Sequence, residues 1–70
     1  MIAYGWKMDD GVEVPDEYEM GVLAVVSELR KQGRGYKAIT REVNRRGLRN
    51  RHGRPFGYDS IKNFIVRYTP

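Results

Sequence analysis

Gly33-Arg34-Gly35-Tyr36-Lys37-Ala38-Ile39-Thr40-Arg41-Glu42-Val43-Asn44-Arg45-Arg46-Gly47-Leu48 is the stretch on which the fold turns. Glycines bracket it. Between them Tyr36, Ile39 and Val43 fall at i, i+3 and i+7, which predicts a short helix ending at Gly47. Upstream, Tyr18, Val22, Val25, Val26 and Leu29 recur at helical spacing. Asp16 stands where a cap is needed, Glu17 and Glu19 lie in the first turn, and Arg30 and Lys31 lie in the last turn before Gly33, so a first helix is expected to run to about Gln32. Downstream, Leu48 to Gly57 holds two glycines, a proline and three arginines without any period. It reads as an ordered basic loop, with Phe56 as its anchor to the core. A third helix is expected from Asp59 or Ser60, where Ile61, Phe64, Ile65 and Tyr68 form one stripe and Ser60, Lys62, Asn63, Val66 and Arg67 fall on other faces.

The remaining N-terminal segment carries a different signal. Ile2 to Met8 and Val12 to Val14 flank Asp9-Asp10-Gly11, and Asp-Gly between β-prone runs predicts a hairpin that Pro15 ends. Since an isolated two-stranded ribbon is marginal, Tyr4, Trp6 and Val12 or Val14 are expected to lay one face on the helices. With no internal repeat and no linker, residues 1–70 read as a single mainly α domain. It is a three-helix, helix-turn-helix-like module with an N-terminal β-hairpin and an elaborated turn before the last helix.

Composition narrows the function. Seventy residues, 40% hydrophobic and 31% charged, allow a small core and little room for a buried enzyme site. Without cysteine, neither disulfides nor a thiolate zinc site can supplement that core, and His52 has no companion ligand. No cofactor is implied. No apolar run reaches membrane-spanning length and the N-terminus lacks a leader pattern, so a cytoplasmic, nucleoid-associated protein with no membrane partner is expected. The net charge of +4 conceals a segregation. Up to Glu28, seven acids oppose Lys7, for a net −6; from Leu29 onward, twelve bases oppose Glu42 and Asp59, for +10. A surface polarised in this way concentrates polyanions, and double-stranded DNA is the leading partner.

The side chains expected to meet DNA follow from this layout. The last helix is suited to the major groove, where Asn63 can pair with adenine, Lys62 can donate to guanine, and Tyr58 or Ser60 can contact a base or a phosphate. Arg49, Arg51, His52 and Arg54 in the loop, with Arg34 ahead of the second helix, Lys37, Arg41, Arg45 or Arg46 along it and Arg67 on the third, are expected on the backbone or in the minor groove. About five phosphate contacts imply a salt slope near −4 to −5. Catalytic signals are explained away: Asp9 and Asp10 by a turn, Glu17 and Glu19 by a helix start, while Ser27 and Ser60 have no base nearby. Gly33-Arg34-Gly35 lacks the third glycine of a dinucleotide fingerprint. The chain is therefore read as non-enzymatic.

The opening Tyr4-Gly5-Trp6, the run Val12 to Pro15, the first-helix pattern and Ile39-Thr40-x-x-Val43-Asn44-x-x-Gly47-Leu48 together resemble a family. They are similar to the DNA-binding recombinase domain of large serine recombinases, which follows a resolvase-type catalytic domain in phage integrases and transposon recombinases. The resemblance spans Tyr4 to about Ile65, with Asn50, Arg51 to Arg54 and Phe56 matching that family's threonine, basic loop and tryptophan. The chain departs from the pattern at Thr40, Asn50, Phe56 and Arg67-Tyr68. The resemblance implies attachment-site recognition, either beside a recombinase catalytic domain in a longer parent or as a stand-alone factor of a phage or mobile element. Asn44, near the end of the second helix, is expected to cap that helix or brace the loop rather than read bases. Two rival readings are a protein-interaction module, which needs Glu17, Glu19 and Glu28 on one exposed face beside Met20 or Leu23, and RNA binding, which needs Tyr36, His52, Phe56 or Tyr58 free to stack.

Overall fold

Asp10 and Gly11 both take positive φ, 50° and 77°. That is the two-residue type I′ geometry which Asp-Gly favours and which matches the twist of a hairpin. It joins β1 (Trp6–Asp9) to β2 (Val12–Pro15), with Trp6 opposite Pro15 and Met8 opposite Glu13. Three helices follow in the computed structural model, which describes residues 2–68: α1 (Glu17–Lys31), α2 (Tyr36–Arg45) and α3 (Tyr58–Tyr68). Residues 1, 69 and 70 of the expected unit lie outside the described residues. The molecule is mainly helical, with three helices and one antiparallel hairpin.

Local chemistry sets each boundary. The Asp16 side chain accepts the Glu19 amide at 3.0 Å and caps α1. Gly33 closes α1 and Gly47 closes α2 by the same device. In each, a left-handed glycine donates three residues back, and the next residue donates five back, Arg34 to Leu29 and Leu48 to Val43. This Schellman arrangement satisfies carbonyls that the helix end leaves without partners.

The core is the meeting of three stripes: Val22, Val26 and Leu29 from α1, Ile39 and Val43 from α2, and Ile61, Phe64 and Ile65 from α3, with Phe56 from the loop. Phe56 is the anchor that its setting in a polar loop predicts. Tyr4 adds a ring stacked on Phe64 at 4.6 Å. Three positions differ from the sequence reading. Tyr18 is 52% exposed instead of buried, and its hydroxyl accepts the Arg49 amide at 2.8 Å. Tyr68 is only partly covered, at the edge of Phe64. Most of the ribbon stands clear of the helices: only Val14 is half-buried, while Trp6, Met8 and Val12 are exposed. The chain is moored just before β1, where Gly5 donates to Glu19 and accepts from Asp16, and the acidic strands beyond that point favour solvent.

Candidate nucleic-acid interface

Of the fourteen side chains expected to contact nucleic acid, all but half-buried Arg49 are exposed, and they fall into three groups. The first is a stripe on α2. Lys37, Arg41 and Arg45 recur every four residues on the face opposite Ile39 and Val43, with Arg34 just ahead of them. Arg34, Lys37 and Arg41 have no side-chain partner among the described residues. Arg45 instead forms a fork on Glu42, at 2.9 and 2.7 Å, and Arg46 adds a third bond at 2.7 Å. Hydrogen bonds from Arg45 and then Arg46 hold the Glu42 carboxyl well below the usual carboxylate range, at about 2. These solvent-washed pairs contribute little to stability, so Arg45 remains free to exchange Glu42 for a phosphate.

The second group is α3. Lys62, Asn63 and Arg67 are exposed on it without side-chain partners among the described residues, as is Val66, at 66%. Ser60, His52 and Arg67 line a groove between α3, the loop and the segment around Ile2 and Tyr4, and Asn63 shares a second hollow with Arg67 and Tyr68. Tyr58 opens α3 with its ring 6.1 Å from that of Tyr36, which opens α2, so the first turns of the two helices are neighbours.

The third group is the loop, whose order comes from two asparagines. Asn50 Oδ1 accepts the His52 and Arg54 amides at 2.8 and 3.0 Å, and its own amide donates to Arg54 at 2.9 Å. Asn44 holds Phe56 by both main-chain groups, accepting its N–H at 2.8 Å and donating to its carbonyl at 3.0 Å. That is the bracing role expected of it.

The loop arginines do not act alike. The Arg54 side chain has no partner among the described residues. Arg49 turns back to the end of α2, donating to Leu48 at 2.8 Å. Arg51 is committed inward: Nε and Nη2 clasp Glu19 at 2.7 and 2.9 Å, and the same guanidinium donates to the carbonyls of Ile2, Ala3 and Trp6. Its charge also lies 5.6 Å from the Tyr4 ring centre. The expected phosphate ligand Arg51 is thus occupied as a clasp between the loop and the N-terminal segment. With its donors so engaged, it has little left to offer a phosphate.

Glu19 is the residue that sequence reasoning missed. It is a buried charge, 6% exposed, and it accepts the Gly5 amide at 2.8 Å in addition to Arg51. The spacing Asp16-x-x-Glu19 resembles a capping box, which would return the Glu19 carboxylate to the Asp16 amide. That amide instead donates to Gly5 at 2.8 Å, which releases Glu19 to reach the loop. Beside it, burial first and the Glu19 charge second push the Tyr4 hydroxyl far above its ordinary pKa, and its oxygen has no hydrogen-bond partner among the described residues.

The structure bears differently on the two rival readings. Glu19 is buried while Glu17 and Glu28 are exposed, so the three do not share an outward face. Of the rings that RNA binding would use, Phe56 is buried at 4% exposure and is not a platform for an unpaired base, whereas Tyr58 and His52 are exposed. Among the described residues there is no grouping of three metal-ligating side chains, and no helix is long and apolar enough to cross a membrane. Comparison with family models, with curated proteins and with solved structures finds no match to this chain.

Proposed function

We propose that this chain is a non-catalytic, sequence-specific module for double-stranded DNA, of helix-turn-helix type with an elaborated turn. In this reading α3 enters the major groove, where Asn63 and Lys62 face base edges and Val66 meets a thymine methyl, while α2 lays its cationic stripe along the backbone. Arg54 and His52 extend the grip from the loop. The observation that carries this reading is the pairing of two neighbouring helices: one bears unpartnered Arg34, Lys37 and Arg41, the other unpartnered Lys62, Asn63 and Arg67. The resemblance to the recombinase domain of large serine recombinases agrees with it and would assign attachment-site recognition, beside a catalytic domain or as a separate factor of a phage or mobile element.

The test is selection of a preferred duplex from a random pool, followed by titration. Asn63→Ala should cost about 1–3 kcal/mol on the selected duplex and nothing on random duplex. Equal losses on both would remove the base-reading role, and absence of duplex binding at low salt would remove the function.

A further inference from the structure

The ribbon is an unpartnered two-stranded sheet whose exposed apolar side chains sit among Asp9, Asp10 and Glu13, with Lys7 as its one base. Trp6 and Met8 lie on one face, 36% and 53% exposed, with Glu13 opposite Met8; Val12 is 60% exposed on the other. Asp9, Asp10 and Glu13 have no ion pair among the described residues. A two-stranded ribbon solvated on both sides is marginal by itself and gains by being covered. Its charge argues against a nucleic-acid occupant.

The complementary surface lies at the other end of α1. That helix is acidic where it leaves the ribbon, at Glu17, and basic where it ends, at Arg30 and Lys31. Its fifteen residues separate the two ends by roughly 22 Å. At the basic end Arg30 stacks 5.2 Å from the Tyr36 ring centre and Tyr36 meets Tyr58, while Lys31, Arg34 and Lys37, close by in the chain, are exposed and have no side-chain partner among the described residues. Aromatic rings framed by cations suit an apolar strand framed by carboxylates. Because the two surfaces sit at opposite ends of one helix, neither can satisfy the other within a single molecule.

We propose that the ribbon of one molecule docks on the Arg30–Lys37 end of a second copy, head to tail. The contact is heterologous, so it propagates along a row instead of closing into a symmetric pair. Being built from exposed charges and a few apolar side chains, it is weak and salt-sensitive. It requires no nucleic acid.

Sedimentation velocity of the chain alone, across a concentration series, tests it. Association should appear at about 0.01 M salt and vanish at about 1 M. The variant D9K/E13K should sediment as a monomer at low salt, and so should R34E/K37E; all four positions are exposed, and circular dichroism verifies folding. An equimolar mixture of the two variants should regain association, since each reversed end then meets its complement. A monomeric wild-type chain at low salt, association unaffected by either reversal, or a mixture that stays monomeric would each overturn the proposal.

Discussion

Gly5 is the residue on which the N-terminal moorings depend. Its φ of 104° is accessible to glycine and costly for any other residue, and a Cβ there would meet Leu23 Cδ1 at 3.0 Å. Gly5→Ala should therefore lower stability by about 2–3 kcal/mol, read as an earlier urea midpoint. Arg51 is the second such residue. Removing it strands the buried Glu19 carboxylate, and Arg51→Ala should cost about 2–3 kcal/mol, less than a fully buried pair because the Arg51 side chain remains 32% exposed. Arg51→Lys should recover less than half of that loss, since an ammonium cannot span both Glu19 oxygens and three carbonyls at once. Full recovery by lysine would mean that charge alone, and not the planar fork, holds the segment.

At the scale of elements, the long connection between α2 and α3 behaves as a structured turn because asparagine side chains replace the missing secondary structure. Asn44→Ala would leave the Phe56 amide and carbonyl without partners beside the core. A loss of about 1–3 kcal/mol is expected, with accelerated hydrogen exchange at the Phe56 amide. The start of α3 is set by the path of this connection, so the same variant should also weaken duplex binding if α3 is the reading helix. Helix boundaries were legible from local signals, namely Asp16, Gly33 and Gly47, because caps act over a few residues. Tyr18 was misread as core because its spacing is helical, whereas its hydroxyl serves the loop thirty-one residues away.

The whole molecule is tied together by one cation. Arg51 joins residues up to 49 positions apart, so the N-terminal segment, α1 and the loop should open together. Thermal melts followed by fluorescence of Trp6, the single tryptophan, and by helical circular dichroism should coincide in the wild type. In Arg51→Ala the Trp6 signal should melt first, as the ribbon loses its clasp. In the proposed DNA-binding reading, affinity is likewise a property of the whole surface. With Arg49 and Arg51 turned inward and Lys62 assigned to base edges, about four or five phosphate contacts remain for Arg34, Lys37, Arg41, Arg45, Arg54 and Arg67, for a salt slope of roughly −4.

The sequence by itself determined the order of elements, the hairpin turn, the helix ends, the apolar stripes and the polarity of charge along the chain. Each of these is written in residues close to one another, through φ preferences, capping and periodicity. Tertiary structure alone decided which charges are free. Arg51 and Arg54 look alike in a basic loop, yet one is spent on Glu19 and the other faces solvent, because the partner of Arg51 lies thirty-two residues away on α1. The same long-range contact made Glu19 a buried ion instead of an ordinary first-turn acid. Pairings between distant residues leave no period and no local spacing to read, since they are fixed only when the helices pack.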